Sequence, residues 1–476
     1  MKNSNFLLLL FMLVNLFSWS ARGQEFAGGE GTQENPYLIS NAQHLESIRQ
    51  FAHTAPAKYY KLVADVDLIS IANWVQLSSD ADGIESSGFA YMHLDGNGHI
   101  IKNLTSKYPG EGYYTNYWGF AGILCGSIKN LGFIDVDVQS VDVGPIAGAV
   151  GRGTPAVGDE EAQRGYIENC FVTGTVTGTG RIGGVAGQIG QKGSYVKNCY
   201  STCDVINTAT SGTTNFTGGV VGVVAGSAAN NSIAISYVEN CYATGSVICE
   251  MGRAGGVLGL ANGGAILNGV ALNKSLTMTA PSDPFGTIVG FIHSVSAPYC
   301  TGEYIAADGI PVMRGGLLHT PENFAVIPGD PIDGVMKDSV YLSDPSNYSS
   351  IGFSIGSVWA NDLANKIYPQ LLWVSQRLDA GFIDGLQLAD DFSSVIATTN
   401  KNNKIISSMS ISGYLNIQSE DIIRKIEVFT LNGQSVFESE YQSHEVNIDM
   451  SSKLPALYIV KINTEEKSYT IKILKK

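Results

Sequence analysis

Ile167-Glu-Asn-Cys-Phe-Val-Thr-Gly-Thr-Val176 returns as Val196-Lys-Asn-Cys-Tyr-Ser-Thr-Cys-Asp-Val205 and again as Val238-Glu-Asn-Cys-Tyr-Ala-Thr-Gly-Ser-Val247. In each copy an apolar β-branched residue stands two places before Asn, and Cys stands one place after it. Positions three apart in a straight strand face opposite sides, so burying both requires a bend at or beside Asn. Asn tolerates the left-handed backbone that such a corner needs. Corners stacked copy over copy would set Asn above Asn and let their amides hydrogen-bond as a ladder.

Outward from these copies the same pattern is found at Ile101-Lys-Asn103-Leu104, Ile128-Lys-Asn130-Leu131 and Ile266-Leu-Asn268-Gly269. With Asn169, Asn198 and Asn240 this makes six aligned Asn, spaced 27, 39, 29, 42 and 28 residues apart. A unit of about 28 residues with two enlarged copies is the mark of an array whose units stack and cannot fold alone. Each unit continues into a Gly-bracketed apolar segment: Gly119-Phe-Ala-Gly122, Gly148-Ala-Val-Gly151, Gly184-Val-Ala-Gly187, Gly219-Val-Val-Gly222 and Gly256-Val-Leu-Gly259. Glycine at those places permits close backbone approach. Cys170, Cys199 and Cys241 fall where Leu104 and Leu131 stand in other copies, and a free thiol there reads as a small buried hydrophobe.

The flanks differ. Lys2 followed by the apolar run Phe6 to Phe17 and by Ala21-Arg-Gly23 reads as a cleaved export signal over residues 1–23. Residues 24–92 form a cap and lead-in, where Ser40-Asn-Ala-Gln43 predicts a capping box and Leu45, Ile48 and Phe51 follow at helical spacing. The repeats occupy 93–300 and a closing segment 301–390. From 391 to 476 Gly becomes scarce and short β-rich runs take over, which predicts a separate C-terminal β-sandwich. The expected fold is therefore all-β: a β-solenoid, parallel β-helix-like, with a small N-terminal helical cap and a C-terminal sandwich.

The repeat N-C-[FY]-x-T-G-x-V followed by G-G-V-x-G resembles the GLUG repeat of bacterial surface proteins. Asn35-Pro-Tyr-Leu-Ile-Ser40 and Tyr60 to Leu68 resemble their lead-in, and Tyr348 through Trp373 their closing segment. Ile426-Glu-Val-Phe-Thr-Leu-Asn-Gly-Gln434, Leu457-Tyr-Ile-Val-Lys-Ile462 and Tyr469 to Lys476 resemble the type A sorting domain of the type IX secretion system. That resemblance implies delivery to the surface of a Gram-negative bacterium, or beyond it, with the outer-membrane secretion machinery as partner.

Net charge of −14, 15% charged residues and no basic patch with interleaved aromatics argue against nucleic acid, and no later run is long enough for a transmembrane helix. Seven Cys without C-x-x-C spacing suggest neither a zinc site nor a redox pair. Two motifs fit in letters and fail in context, and a third falls short in letters. Gly178-Thr-Gly-Arg-Ile-Gly183 has the dinucleotide spacing inside a repeat turn; Gly352-Phe-Ser-Ile-Gly356 has the nucleophile-elbow spacing inside the closing segment. His444-Glu-Val-Asn-Ile448 lacks the second His of a zinc-protease helix. Two clusters remain. Asp135, Asp137 and Asp142 could furnish paired carboxylates or bind Ca²⁺, although alternation in Phe133 to Val138 reads first as a solvent-facing strand. Tyr113, Tyr114, Tyr117 and Trp118 could stack on sugar rings or pack against neighbouring units. The expectation is a secreted or surface scaffold, adhesin-like, without cofactor or metal and with no established enzyme activity, binding glycans or surface proteins. The alternative is a β-helix polysaccharide lyase or glycosidase.

Overall fold

A computed structural model describes residues 25–53, 55–78, 88–108, 117–151, 163–190, 193–212, 214–225, 235–319, 332–360, 368–379, 405–409, 414–430, 434–450, 453, 456–465 and 467–475. The export signal assigned to residues 1–23 lies outside this set, as do Tyr113 and Tyr114.

From residue 37 to 337 the chain winds so that each turn pairs in parallel with the turns before and after it. One turn shows the plan. Gly165–Glu168 forms its first strand, Phe171–Gly178 its second and third legs, Arg181–Gly183 its fourth and Ala186–Ile189 its fifth. The first leg pairs with Ser127 to Lys129 on one side and Tyr195–Lys197 on the other. The fourth legs form their own six-stranded sheet, and the remaining legs join a 24-stranded one. The molecule is thus mostly β, with a helix-like parallel sheet.

The apolar positions read from the repeat build the core. Leu94, Ile128, Ile167, Val196, Val238 and Ile266 follow one another up the stack, wholly buried, beside Leu131, Cys170, Cys199 and Cys241. Each such aliphatic side chain contributes roughly 1.5–3 kcal/mol by leaving water. The corners are left-handed: Asn103, Asn130, Asn169, Asn198, Asn240 and Asn268 all have φ between 51° and 58°. Glycine is needed where the fourth and fifth legs pass each other, since a Cβ on Gly222 would lie 2.6 Å from Gly187 O and Ile182 N.

The amide ladder runs through five of the six Asn. Asn268 Nδ2 donates to Asn240 Oδ1 (2.9 Å), Asn240 to Asn198 (3.4 Å), Asn198 to Asn169 (3.2 Å), Asn169 to Asn130 (3.2 Å), and Asn130 to Asp95 Oδ1 (3.0 Å). Asn103 departs from the expected alignment and donates to Asp67 instead. The register explains it. The chain bulges between Asp95 and His99, which sets Ile101 against Phe133 and places Asn103 at the next corner, level with Asp135, another left-handed residue.

Helices Ala42–Ser47 and Arg49–Ala52 lie in the first turn, and their Leu45, Ile48 and Ala52 share the core of Ile39, Tyr60 and Leu62. The N-cap is Asn41, whose Oδ1 accepts from His44 N at 2.9 Å, one residue later than the expected Ser40.

The closing segment does more than end the stack. Helices Ser339–Leu342, Pro345–Ser350 and Leu372–Asp379 lie across the outer face of the second legs, returning toward the N-terminal turns. Asn240 Nδ2 donates to Gly352 O (2.9 Å), Tyr242 Oη to Pro369 O (2.7 Å) and Trp373 Nε1 to Asn169 O (3.1 Å); Arg377 reaches Gly98 O and, through two hydrogen bonds, the Asp65 carboxylate.

The C-terminal strands Ile405–Met409, Tyr414–Thr430, Ser435–Asp449, Ala456–Thr464 and Ser468–Lys475 form one antiparallel sheet. The two layers expected from sequence are halves of this one sheet rather than two separate sheets. Tyr414–Thr430 is shared by both halves and breaks register between Gln418 and Lys425, so hydrogen bonding continues around the bend. Leu415, Ile417, Val446 and Ile448 of one half then share a core with Ile426, Val428, Val460 and Ile462 of the other.

Candidate binding face

In the first legs, side chains alternate inward and outward. Ile167, Val196 and Val238 point in, so Tyr166 and Glu168, Tyr195 and Lys197, and Tyr237 and Glu239 point out. Register continues this to earlier turns: Tyr59 lies beside His93, His93 beside Ser127, and Ser127 beside Tyr166. The result is an outward column Tyr59, His93, Ser127, Tyr166, Tyr195, Tyr237, every member half-buried. Rings one strand apart lie against each other, stacked at Tyr59–His93 and Tyr195–Tyr237 and tilted by 40° at Tyr166–Tyr195. Tyr59 and His93 have centroids 4.5 Å apart, Tyr166 and Tyr195 4.8 Å, and Tyr195 and Tyr237 5.2 Å.

A second column, two residues on, carries Lys61, Asp95, Lys129, Glu168, Lys197 and Glu239 in register. Its signs alternate, plus three against minus three. Lys129 pairs with Asp95 at 3.6 Å and Lys197 with Glu239 at 3.0 Å. Partial burial works against the Lys197 ammonium, but its hydrogen bond to Glu239 and the surrounding negative groups outweigh that and raise its pKa. Partial burial, reinforced by Glu168 and the neighbouring phenols, pushes the Tyr195 phenol up to about 12, and Tyr237 moves the same way. Partial burial and the nearby Lys129 charge lower the His93 pKa, so its imidazole is neutral near pH 7.

Because the rings stack along the long axis, they spend their faces on one another and turn edges and phenolic hydroxyls outward. Each Tyr Oη both donates and accepts. The face is a repeating comb of hydrogen-bonding groups, one per turn, over a balanced charge column. The reading from sequence passed over it, although Tyr166, Tyr195 and Tyr237 each stand three places before a corner Asn. That spacing was the available signal.

The residues singled out from sequence are dispersed. Trp118 is wholly buried against Tyr108, which removes it as a ligand contact: the fourth leg points it into the stack. Tyr117 is half-buried, and its hydroxyl accepts from Gln188 Nε2 at 3.3 Å. It lies beside Asp142, which is buried and paired with Arg181 at 2.9 Å; burial outweighs Arg181 and raises the Asp142 pKa. Asp135 and Asp137 are exposed on other legs, Asp137 in an ion pair with Lys107, so the three carboxylates do not form one groove. Cys170, Cys199 and Cys241 stack inside as free thiols, each Sγ donating to a backbone carbonyl, and burial holds the Cys199 thiol neutral. The Gly178 to Gly183 stretch joins two strands, and Ser354 sits in a turn where its carbonyl accepts from Val358 and Trp359. His444 Nδ1 lies 3.3 Å from Ser419 O. Among the described residues no three His, Cys, Asp or Glu side chains gather as a metal site.

Comparison with known proteins adds four matches. Residues 411–476 match the secretion system C-terminal sorting domain, which marks the chain for secretion or surface delivery by the type IX route. A crystal structure from Bacteroides ovatus, provisionally described as an immunoglobulin A1 protease, is similar with a TM-score of 0.58 and 30% identity, over 74% of this chain and 96% of that one. Shorter stretches resemble a provisionally described Gly-rich membrane protein of Evansella cellulosilytica (29% identical, 30% of this chain) and Halomucin of Haloquadratum walsbyi (31% identical, 33% of this chain). The chain spans 17% and 2% of those two relatives. Matching nearly the whole length of the Bacteroides ovatus chain, this chain belongs to the same family.

Proposed function

We propose that the chain is a β-solenoid of GLUG-like repeats, displayed at or released from the bacterial surface, that binds an extended, neutral, hydroxyl-rich polymer along its first-leg face. One observation carries this reading: the register-locked column from Tyr59 to Tyr237 beside a charge column that sums to zero. A polyanion or polycation would gain nothing from alternating signs, whereas a glycan chain can exchange hydrogen bonds with phenols, ammonium groups and carboxylates alike. The test is retention of the full chain on xylan, mannan and β-glucan in affinity electrophoresis. Tyr195→Ala should weaken the retained case by about tenfold. Unaltered retention, or none on any neutral polymer, rejects the reading.

The name given to the Bacteroides ovatus relative motivates a second reading, proteolysis of an immunoglobulin. It predicts that the full chain cuts immunoglobulin A1 on its own. Absence of fragments after prolonged incubation leaves binding as the activity of this chain.

A further inference from the structure

The outward column of rings is interrupted once. Tyr59 stacks on His93, and Tyr166 lies tilted against Tyr195, but the turn between them supplies Ser127. The His93 ring is nearly parallel to Tyr59 and sets its Nδ1 against Ser127 Oγ, while the Tyr166 ring is tilted by 40° to Tyr195, so the two rings border the Ser127 turn from either side. Two strand spacings separate the His93 and Tyr166 strands, about 9–10 Å. A single ring in van der Waals contact on both faces needs about 7–8 Å. Ser127 is itself partly exposed, so the space above it is open to solvent, and its Oγ lies 3.0 Å from His93 Nδ1.

The rim of this slot is polar. Asp95, Lys129 and Glu168 stand in the neighbouring column at the same three turns, with the Lys129 ammonium 3.6 Å from Asp95. A pyranose matches both parts, with C–H groups on its faces for two π surfaces and hydroxyls around its equator for the floor and rim. A Phe or Trp ring from a protein partner would fill the walls and give the rim groups nothing to bond.

We propose that the slot between His93 and Tyr166, floored by Ser127, is a monosaccharide subsite that clamps one neutral pyranose unit of the polymer and sets its register along the face. The proposal rests on the first-leg face being the glycan-binding surface, and it assigns a different task to each part. Tyr195 and Tyr237 hold the chain edge-on, while the slot takes a ring between two faces.

Saturation-transfer NMR of the full chain with the methyl pyranosides of glucose, galactose, mannose and N-acetylglucosamine tests it. At least one should receive transfer. Ser127→Tyr supplies the absent ring and should weaken that glycoside by about tenfold or more, while Tyr237→Ala, which leaves the slot intact, changes it by less than about twofold. Should Ser127→Tyr not fold, Tyr166→Ala removes one wall and should give the same loss. If no methyl pyranoside binds, or Ser127→Tyr and Tyr166→Ala both leave binding unaltered, while polysaccharide retention persists and falls with Tyr195→Ala, the slot is refuted and the wider face stands. If polysaccharide retention is absent as well, both fall.

Discussion

Two outer faces of the same coil carry stacked aromatic columns, and they meet different fates. On the second legs, Phe171, Tyr200 and Tyr242 stack at 5.2 and 4.9 Å, nearly parallel, and all three are wholly buried. On the first legs, Tyr166, Tyr195 and Tyr237 follow at similar spacing, the first pair tilted by 40° and the second stacked, and stay half-exposed. Ring stacking is therefore a product of parallel register, which sets like residues one strand apart, and by itself says nothing about function. What separates the faces is cover. The returning segment lays Phe353, Trp359, Tyr368 and Leu371 over the second-leg column, while Trp373 packs on Phe171. The first-leg column has no such cover among the described residues and stays partly exposed.

The sharpest way to break the comparison is to remove one ring from each face. Tyr242→Ala loses a buried ring and its hydrogen bond to Pro369 O, and should lower stability by about 3–5 kcal/mol in denaturant unfolding. Tyr195→Ala should cost only about 1 kcal/mol, because solvent already shares its surface. Equal costs would mean that the two faces are equally covered.

Next in size is the far end of the strap. Arg377→Ala should cost about 1–2 kcal/mol and open the Leu372–Asp379 helix to limited proteolysis, since it removes charged hydrogen bonds to Asp65 and Gly98. The same clasp should weaken in acid. Partial burial alone would raise the Asp65 pKa, but Arg377, the Ile100 N–H and His99 outweigh it and hold the carboxyl below its ordinary value. Stability from this pair is present above the ordinary aspartate range and is lost as pH falls through the depressed pKa. Strap cleavage that is independent of pH down to that range, or unaltered in Arg377→Ala, breaks this account.

A subtler contrast lies within the covered column. Tyr242 donates its hydroxyl to Pro369 O, whereas the buried Tyr200 hydroxyl has no partner among the described residues. Tyr200→Phe should therefore be neutral or stabilising by up to about 1 kcal/mol, and Tyr242→Phe destabilising by about that amount, in thermal unfolding. The reverse order would locate the hydrogen bond on the other turn.

The smallest expected effect is alkaline. The Tyr195 phenol titrates at about 12 in the folded chain, above its ordinary 10.0. Its contribution is fully present below the unfolded value and is lost as pH rises from there through the folded one. Phenolate absorbance should show Tyr195 ionising above the ordinary tyrosine range, and Tyr200 and Tyr242 only on unfolding, because burial drives both far up. Early titration of Tyr200 would mean that the strap does not seal its face.

Local geometry made the coil legible from sequence. A left-handed corner selects Asn, an inward leg selects Ile or Val, and a passage between crossing legs selects Gly, so each constraint recurs once per turn and is visible as a repeat. The same regularity held the first-leg tyrosines in view at a fixed distance before each corner. The reading failed where one turn broke step: a bulge after Asp95 moved Asn103 to a different corner with its local motif intact. What only the tertiary structure decided is which column is covered. Arg377 and Asp65 are 312 residues apart and Trp373 and Asn169 204, and a contact made once leaves no period to detect. Burial of Tyr200 and exposure of Tyr195 are set by that single return of the chain, because the local pattern that places a ring outward is the same for both.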